Sequence, residues 1–320
     1  MIAERLPFDD PEAVAAWTDL SRFSRFRDQN PILITTGESC KVIMTDELVV
    51  KIPRASRMTA DLTMFESEMV IGMNEKAALD PPPLAIPRFI ENNAFGYPHY
   101  LCLSKVPGEV LSQDEVRAFS DPEKRELGHK VGQMVAWIGK SMSFAEYDAR
   151  LPAGPISLPD RVNYVRSDVM LLPYFGPMAG ITATNRLLDV YDKFQKCAAD
   201  GALEPTIIGH DDVAVWNMVF VECAGAMSLQ GLIDFGVMKK STPEREFRHL
   251  PTIGKAAVEA AVAAYKAETG VEPSMELIYL WATMQTVSNY TRLIKRGNRE
   301  LAVTKRRDLL TIEQDMPVQV

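Results

Sequence analysis

Two stretches of the sequence decide the fold: GHDDVAVWN at residues 209–217 and LIDFG at residues 232–236. The first fits the spacing H-x-D-x-x-x-x-N, and the second places an aspartate directly before Phe-Gly. Phosphoryl transfer needs a carboxylate that accepts the proton of the attacking hydroxyl, and oxygen ligands that hold Mg²⁺ against the phosphates. Asp212 suits the first role, and Asn217 with Asp234 suits the second. The order of these residues therefore indicates a phosphoryl-transfer site.

The segment between the two stretches predicts a β-hairpin formed by Met218 to Val221 and Leu229 to Ile233. A loop, a hairpin and a second carboxylate bring the three polar side chains to one end of a small sheet. A lone H-x-D-x-x-x-x-N is a weak signal, because such residues also serve as loop caps and strand-end turns. The complete ordered set, together with the features upstream, favours the catalytic interpretation.

A single lysine interrupts the apolar strand VVKIP at residues 49–53. An unpaired ammonium group is costly in such a strand, so we expect Lys51 to have anionic partners, namely phosphate oxygens and a carboxylate. The helix predicted over Asp61 to Leu79 offers Glu66 and Glu68. We favour Glu68 by its distance from the helix end, and Glu66 is the alternative. A lysine that reaches solvent along its own stem is the competing explanation.

The type of predicted secondary structure changes along the chain. Strands dominate up to Ser104, and helices dominate from Leu111 onward. The predicted strands are Ile32–Ile34, Lys41–Met44, Leu48–Ile52, Pro87–Ile90 and His99–Ser104. The predicted helices are Pro11–Phe23, Asp61–Leu79, Pro122–Ser141, Ala183–Asp200, Thr252–Thr269 and Ser274–Arg296. This pattern is typical of an α+β protein.

Composition and charge exclude several classes of protein. The chain has 35 Lys+Arg and 43 Asp+Glu, a net charge of −8, which argues against a basic surface for binding nucleic acid. No apolar run approaches the length of a membrane span, and the acidic N-terminus does not resemble a signal peptide. We expect a cytoplasmic protein without a nucleic-acid or membrane partner. The four cysteines are scattered and predict neither a zinc site nor a disulfide framework. The sequence gives no indication of an oligomeric state.

Taken in order, these motifs resemble the aminoglycoside phosphotransferase and choline kinase-like family, which shares the protein kinase-like fold. The resemblance runs from about Ile32 to beyond Leu250. The segments that carry it are TTGESCKV (35–42), VVKIPR (49–54), IPRFI (86–90), GYPHYLCLSKVPGEVL (96–111), HDDVAVWN (210–217), LIDFG (232–236) and TPEREFRHL (242–250).

The resemblance implies a bilobal α+β fold. Residues 1–106 are expected to form a nucleotide-binding lobe with a helix, a five-stranded antiparallel sheet and one further helix. Residues 107–320 are expected to form a helical lobe that carries the catalytic loop and the substrate site.

The resemblance also implies a role for each site residue. Lys51 would hold the α- and β-phosphates and pair with Glu68, while the adenine would lie against backbone from Ser104 to Val106. The residues expected to bind the nucleotide are Lys51, Glu68, Gly37, Ser39, Ser104 and Val106. Asp212 would be the catalytic base, Asn217 and Asp234 would bind Mg²⁺, and His210 would brace the loop.

The implied activity is transfer of the γ-phosphate of ATP, with GTP as an open alternative, to a hydroxyl of a small molecule in the presence of Mg²⁺. An aminoglycoside or another natural product is the expected class of acceptor, and antibiotic resistance is one role that this would serve. The alternative is a nucleotide-binding, kinase-like regulator without transfer activity. Lys51, Asp212, Asn217 and Asp234 are all present, which favours the enzyme. No APE-like segment follows Asp234, which disfavours a protein kinase.

The catalytic loop departs from the family pattern at several positions. Family members usually have glycine where Asp211 stands, and small or polar residues where Val213, Val215 and Trp216 stand. This loop is therefore bulkier and more acidic, and we expect the substrate side to differ. For a polycationic aminoglycoside the expected carboxylates are Asp211, Glu244, Glu246 and those of the segment 160–168.

Overall fold

A computed structural model of the chain describes residues 9–23, 26, 29–35, 40–54, 60–93, 96–151, 184–223 and 225–315. The phosphate-loop residues Gly37 and Ser39 and the acidic segment 160–168 lie outside this set. Among the described residues, no helix has both the length and the apolar character needed to span a bilayer.

The chain divides into two compact units. Unit 1 comprises Met1–Gly108, Ser141–Ile156 and Gln230–Met238. Unit 2 comprises Glu109–Lys140, Ser157–Leu229 and Lys239–Val320. The DFG-like segment around Asp234 therefore belongs to the same unit as Lys51, although 183 positions separate them in the sequence.

The described residues form strands, α-helices and two 3₁₀ turns. The strands are β1 Ile32–Ile34, β2 Cys40–Met44, β3 Leu48–Pro53, β4 Phe89–Asn93, β5 Tyr100–Ser104, β6 Ile207–Gly209, β7 Met218–Cys223, β8 Ala226–Leu232 and β9 Lys239–Ser241. The helices are α1 Pro11–Leu20, α2 Ala60–Ala77, α3 Gln113–Arg117, α4 Asp121–Ser141, α5 Phe144–Arg150, α6 Thr184–Ala199, α7 Pro243–Glu246, α8 Lys255–Thr269, α9 Met275–Lys295 and α10 Arg299–Asp315. The 3₁₀ turns are Val215–Asn217 and Phe247–Thr252.

Unit 1 is built on a five-stranded antiparallel sheet in the order β1-β2-β3-β5-β4. The central strand β3 pairs Lys51 with Val42 on β2 and with Leu101 on β5. Its apolar residues Val50 and Ile52 are buried and form one core with Trp17 and other side chains of α1. Alternation along β3 thus buries one set of side chains and gives Lys51 the opposite orientation.

Unit 2 is mainly helical and packs around α9. The rings of Phe194 on α6 and Trp281 on α9 meet edge to face, with centroids 4.8 Å apart, within a cluster of buried apolar residues. At Gly128 on α4, an added Cβ would lie 2.1 Å from the backbone oxygen of Ala257 on α8. Only glycine permits so close an approach between these two helices.

The α+β fold class is confirmed, and the predicted helices and strands are present with ends shifted by up to three residues. Strand β4 continues to Asn93, past the predicted end at Ile90. The predicted hairpin forms as the two-stranded sheet β7-β8. The sequence did not predict α3, α5, α7, α10 or the short pair β6-β9. Ser112 and Ser143 begin α3 and α5 with capping boxes, so the S-x-x-E pattern was a usable signal.

Candidate active site

The lysine of β3 lies between two carboxylates of unit 1. Lys51 Nζ donates to Glu66 Oε1 and Oε2 at 2.8 and 2.6 Å, and to Asp234 Oδ1 at 2.5 Å. The prediction that Lys51 has anionic partners is confirmed, and the alternative of a lysine reaching solvent is wrong. The fold brings together the lysine of the front half and the aspartate of the DFG-like segment.

The carboxylate that α2 supplies to Lys51 is Glu66, which corrects our preference for Glu68. The Glu66 side chain is 2% exposed, whereas Glu68 is 47% exposed and has an oxygen 3.6 Å from Arg150 Nη1. Residues two apart on a helix lie about 200° apart around its axis, so only one of them can face the sheet. Glu66 follows the buried Phe65 and precedes Met69 on that face.

Charge and burial act in opposite directions on this pair. Burial alone would lower the pKa of Lys51, but the charges of Glu66 and Asp234 outweigh it and raise that pKa well above its usual value. Burial raises the pKa of the Glu66 carboxyl, and the nearby Lys51 counteracts this. The ammonium group is therefore charged at neutral pH and suited to binding an anion.

Asp234 follows β8 in the left-handed backbone region, with φ of 69°. This region is uncommon for residues other than glycine, although aspartate is among those that tolerate it. The side chain is 45% exposed, so it combines contact with Lys51 with access to solvent. The following glycine of the motif sits against Glu66, because a Cβ on Gly236 would lie 3.0 Å from Glu66 Oε2.

The catalytic loop of unit 2 runs from β6 to the 3₁₀ turn Val215–Asn217 and brings Asp212 and Asn217 together. Asn217 Nδ2 donates to the backbone oxygen of Asp212 at 2.9 Å and to its Oδ2 at 3.1 Å. Trp216 Nε1 donates to the same Oδ2 at 3.1 Å. His210 is fully buried, and its Nδ1 accepts a hydrogen bond from Asp212 N at 3.3 Å.

His249 contacts the carboxylate of Asp212, a contact that the sequence did not predict. Its Nε2 lies 3.3 Å from Asp212 Oδ1, and its ring packs edge to face on Trp216 at 5.3 Å. Burial alone would raise the pKa of Asp212, but contact with His249 and the charge of Arg248 hold it well below its usual value. Burial and Arg248 lower the pKa of His249, so its ring is neutral at pH 7. Neither its spacing nor its neighbours in the sequence marked this histidine.

We expect His249 to make the stability of the protein depend on pH. Its pKa is lower in the folded protein than in the unfolded chain, so the unfolded chain binds the proton more readily as the pH falls below about 6.5. The urea midpoint of the wild type should therefore fall between pH 8 and pH 5. In His249→Gln the part of this fall in the urea midpoint that comes from His249 should be absent. The control His129→Gln, which replaces an exposed histidine on α4, should show the same fall as the wild type. An unaltered pH profile in His249→Gln would contradict the assignment.

Asp211 is held inside unit 2 by positive charges. It adopts a left-handed φ of 63° and is 1% exposed. Its carboxylate lies 2.5 Å from Lys239 Nζ and 2.6 Å from Arg245 Nε, and Arg248 donates to its backbone oxygen. The Asp211 carboxylate therefore faces the interior of the unit.

Two further acidic residues, Glu246 and Glu244, also accept hydrogen bonds from groups within unit 2. Glu246 is fully buried and accepts from Asp211 N at 2.9 Å and from Ser241 Oγ at 2.5 Å. Glu244 Oε1 accepts from Ser274 N at 3.1 Å. The expectation that Asp211 and Glu246 line an acceptor pocket is wrong, because both are buried in contacts with their own unit.

The predicted adenine-binding residues lie at the end of β5 and just beyond it. Ser104 N donates to Arg88 O at 2.8 Å, and Ser104 Oγ accepts from Arg88 N at 2.8 Å. Val106 is buried, and a Cβ on Gly231 would lie 2.4 Å from its Cγ1. The nucleotide-binding role of these residues stays a prediction.

The chemistry of the donor atoms fits Mg²⁺. A half-exposed carboxylate at Asp234 and an amide at Asn217 are the hard oxygen ligands that this ion prefers. Because Asn217 Nδ2 donates to Asp212, the amide oxygen is the atom that Asn217 offers to a metal. Within the described ranges, no group of three or more His, Cys, Asp or Glu side chains converges to hold a metal ion.

A model of the phosphotransferase enzyme family matches residues 32–281. The chain belongs to this family. A search of the curated proteins finds no match to this chain. Several solved structures share its fold. The GDP and kanamycin complex of APH(2'')-IIia is 14% identical with a TM-score of 0.67, covering 94% of this chain and 98% of its own.

Two other solved structures give similar values. The streptomycin-ATP-APH(2'')-IIa ternary complex is 15% identical with a TM-score of 0.56, covering 94% of this chain and 99% of its own. The apoenzyme of macrolide 2'-phosphotransferase MphH from Brachybacterium faecium is 18% identical with a TM-score of 0.57, covering 91% and 97%. At these identities the likeness extends to the fold, and the phosphotransferase shares it with enzymes named for two kinds of antibiotic.

Proposed function

We propose that this phosphotransferase transfers the γ-phosphate of ATP, or of GTP, to a hydroxyl of a small molecule in a reaction that requires Mg²⁺. The observation that carries the proposal is the lysine of β3, which Glu66 and Asp234 hold within 2.8 Å. Such a charged, oriented ammonium group is suited to binding phosphate oxygens. Neighbours of the same fold are described with GDP or ATP together with an aminoglycoside, which supports a nucleotide donor and a hydroxylated acceptor.

The nucleotide is proposed to bind to the N-terminal lobe, residues 1–106. Lys51, positioned by Glu66, binds the α- and β-phosphates, and the backbone of Ser104 and Val106 receives the adenine. Gly37 and Ser39 are proposed to cover the phosphates with backbone N–H groups. Bound Mg²⁺ would neutralise phosphate charge, with Asp234 and Asn217 as its protein ligands.

The acceptor is proposed to bind to residues 107–320, where Asp212 orients its hydroxyl and receives the proton. Trp216 and Asn217 fix the carboxylate through hydrogen bonds, and the low pKa keeps it ionised at neutral pH. In phosphoryl transfer the protein contributes mainly by positioning and charge, so a fixed carboxylate matters more than a strongly basic one. Aminoglycosides and other hydroxylated natural products form the class from which the acceptor would come.

Thermal unfolding with and without Mg·ATP tests the nucleotide site. Ligand at 100 times its Kd should stabilise the wild type by about 2.7 kcal/mol. Asp234→Asn, which keeps the size of the side chain and tolerates the left-handed backbone, should lose most of this Mg-dependent gain. The control Asp80→Asn, which replaces a half-exposed aspartate in the same unit, should keep the Mg-dependent gain. A Mg-dependent gain in Asp234→Asn as large as that of the wild type would contradict the ligand role.

Turnover separates the enzyme from a nucleotide-binding regulator. The wild type should release ADP only when a hydroxylated acceptor is present. Binding of Mg·ATP without phosphorylation of any acceptor would instead favour the regulator.

A further inference from the structure

The short helix α5 of unit 1 touches both of the segments that supply carboxylates to Lys51. Glu66 comes from α2, and Asp234 begins the DFG-like segment, residues 234–238, so the contacts of Lys51 depend on where these two segments lie. Helix α5 packs on α2, and its Tyr147 reaches the far end of the DFG-like segment. One side chain therefore connects two parts of the site that are distant in the sequence.

Tyr147 makes one contact with each segment. Its ring packs edge to face on Phe65, with centroids 6.2 Å apart, and Phe65 directly precedes Glu66 on α2. Its hydroxyl donates to the backbone oxygen of Met238 at 3.0 Å, four residues beyond Asp234. Tyr147 is 4% exposed and this hydrogen bond is buried, so loss of the hydroxyl would leave the Met238 oxygen without its donor in a site closed to bulk water.

Helix α5 is fixed on α2 by contacts at both of its ends. Just before the helix, Met142 lies over Gly72 of α2, where an added Cβ would be 2.8 Å from Met142 Cε. At the other end, Arg150 Nη2 lies 2.5 Å from Glu75 Oε2, and Nη1 lies 3.6 Å from Glu68 Oε2. The hydroxyl that α5 offers to the DFG-like segment therefore has a defined position relative to α2.

The DFG-like segment has a conformation that needs such support. Asp234 has a left-handed φ of 69° and a side chain that is 45% exposed. A non-glycine residue keeps this backbone conformation only where the surrounding structure holds it. Within the segment, Met238 N donates to Phe235 O at 3.3 Å, and the buried Phe235 ring fills the core. The hydrogen bond from Tyr147 holds the opposite side of the Met238 peptide chain, its carbonyl oxygen.

We propose that Tyr147 is a positioning residue of the nucleotide site, which holds Asp234 in the geometry that binds Mg²⁺ beside the triphosphate. This inference rests on the proposed function and adds to it a residue from outside the motifs. Tyr147 forms no bond and exchanges no proton in the reaction. Its hydroxyl acts by raising the population of the conformation of residues 234–238 that is competent to bind the metal.

Tyr147→Phe tests the inference, because it keeps the ring on Phe65 and removes only the hydroxyl. Calorimetric titration of the full chain should show that Kd for Mg·ATP rises about tenfold. Kd for ATP in the presence of EDTA should rise less, because metal-free ATP does not depend on Asp234 as a metal ligand. An equal rise with and without the metal would overturn the action through Asp234, and an unchanged Kd for Mg·ATP would overturn the inference.

Tyr100→Phe is the matched control for a buried tyrosine hydroxyl in the same unit. Tyr100 is fully buried and donates to Asp19 Oδ2 at 2.9 Å, in the core between the sheet and α1. This variant should also lose stability but keep the wild-type Kd for Mg·ATP. An equal rise of Kd in Tyr100→Phe would overturn the inference, because the effect of Tyr147→Phe would then follow from lost stability alone.

Amide hydrogen exchange of the protein without nucleotide supplies a second measurement. Peptides that cover residues 232–240 should exchange about tenfold faster in Tyr147→Phe than in the wild type, and at the wild-type rate in Tyr100→Phe. Unchanged exchange in Tyr147→Phe would overturn the inference. Faster exchange combined with an unchanged Kd for Mg·ATP would overturn it as well, since the hydroxyl would then serve stability only.

The wild type distinguishes a failure of this inference from a failure of the proposed function. A wild type that does not bind Mg·ATP would remove the proposed function itself. A wild type that binds Mg·ATP, together with a Tyr147→Phe variant that binds it equally well, would remove only the positioning role of Tyr147.

Discussion

Asp212→Asn should phosphorylate acceptor about 10² to 10⁴ times more slowly than the wild type, because an amide cannot receive the proton of the attacking hydroxyl. Asparagine still offers an oxygen to Trp216 Nε1 and Asn217 Nδ2, so the loop should keep its conformation. The loss should therefore fall on kcat. Steady-state release of ADP measures it, and the thermal shift with Mg·ATP shows whether the nucleotide still binds.

Asp189→Asn is the matched control for this variant, since Asp189 is an exposed aspartate on α6 of the same unit. It should turn over at the wild-type rate. Retention of wild-type kcat by Asp212→Asn, with the nucleotide still bound, would remove Asp212 from the reaction. A lost thermal shift in that variant would instead place Asp212 in nucleotide binding.

Lys51→Met should abolish the stabilisation by Mg·ATP and also lower the stability of the protein without nucleotide. Glu66 is almost completely buried, and the substitution would leave its carboxylate without the ammonium group that it contacts at 2.6 Å. Removing one partner of a buried ion pair costs about 3 kcal/mol. Asp234 is half exposed and would be stabilised by water, so most of this cost should come from Glu66.

The double variant Lys51→Met, Glu66→Met separates the structural role of the lysine from its functional role. Replacing both members of a buried ion pair with apolar residues is often neutral for stability. The double variant should therefore recover the urea midpoint of the wild type but remain unable to bind Mg·ATP. A double variant as unstable as the single one would show that the charge of Glu66 is not the cause of the loss. Binding of Mg·ATP by either variant would contradict the phosphate-binding role.

The parts of the site that the sequence predicts are those encoded by a residue type in an ordered motif. Lys51 stands out because a charge within an apolar strand needs a partner, and Asp234 because its motif follows a hairpin. Asp212 and Asn217 are five residues apart on one loop, so their contact is local. Each of these relations depends on short-range geometry or on the high cost of burying an unpaired charge.

The parts that the sequence could not predict depend on side-chain direction and on packing between distant segments. Glu66 and Glu68 are the same residue type on the same helix, and which of them contacts Lys51 depends on which face of α2 meets the sheet. His249 reaches Asp212 because a 3₁₀ turn far along the chain packs beside the catalytic loop. Asp211 was expected on the substrate side because it is acidic, whereas its partners Lys239 and Arg245 hold it inside.

Asp211 is surrounded by the positively charged side chains of Lys239, Arg245 and Arg248. These charges limit the order in which residues of this loop can be replaced during evolution. Asp211→Gly would relieve the left-handed backbone but leave Lys239, Arg245 and Arg248 without the carboxylate that they share. Conversely, replacing those bases first would leave a buried acid uncompensated. The four positions are therefore epistatic, and lineages that carry the aspartate should retain the bases as a set.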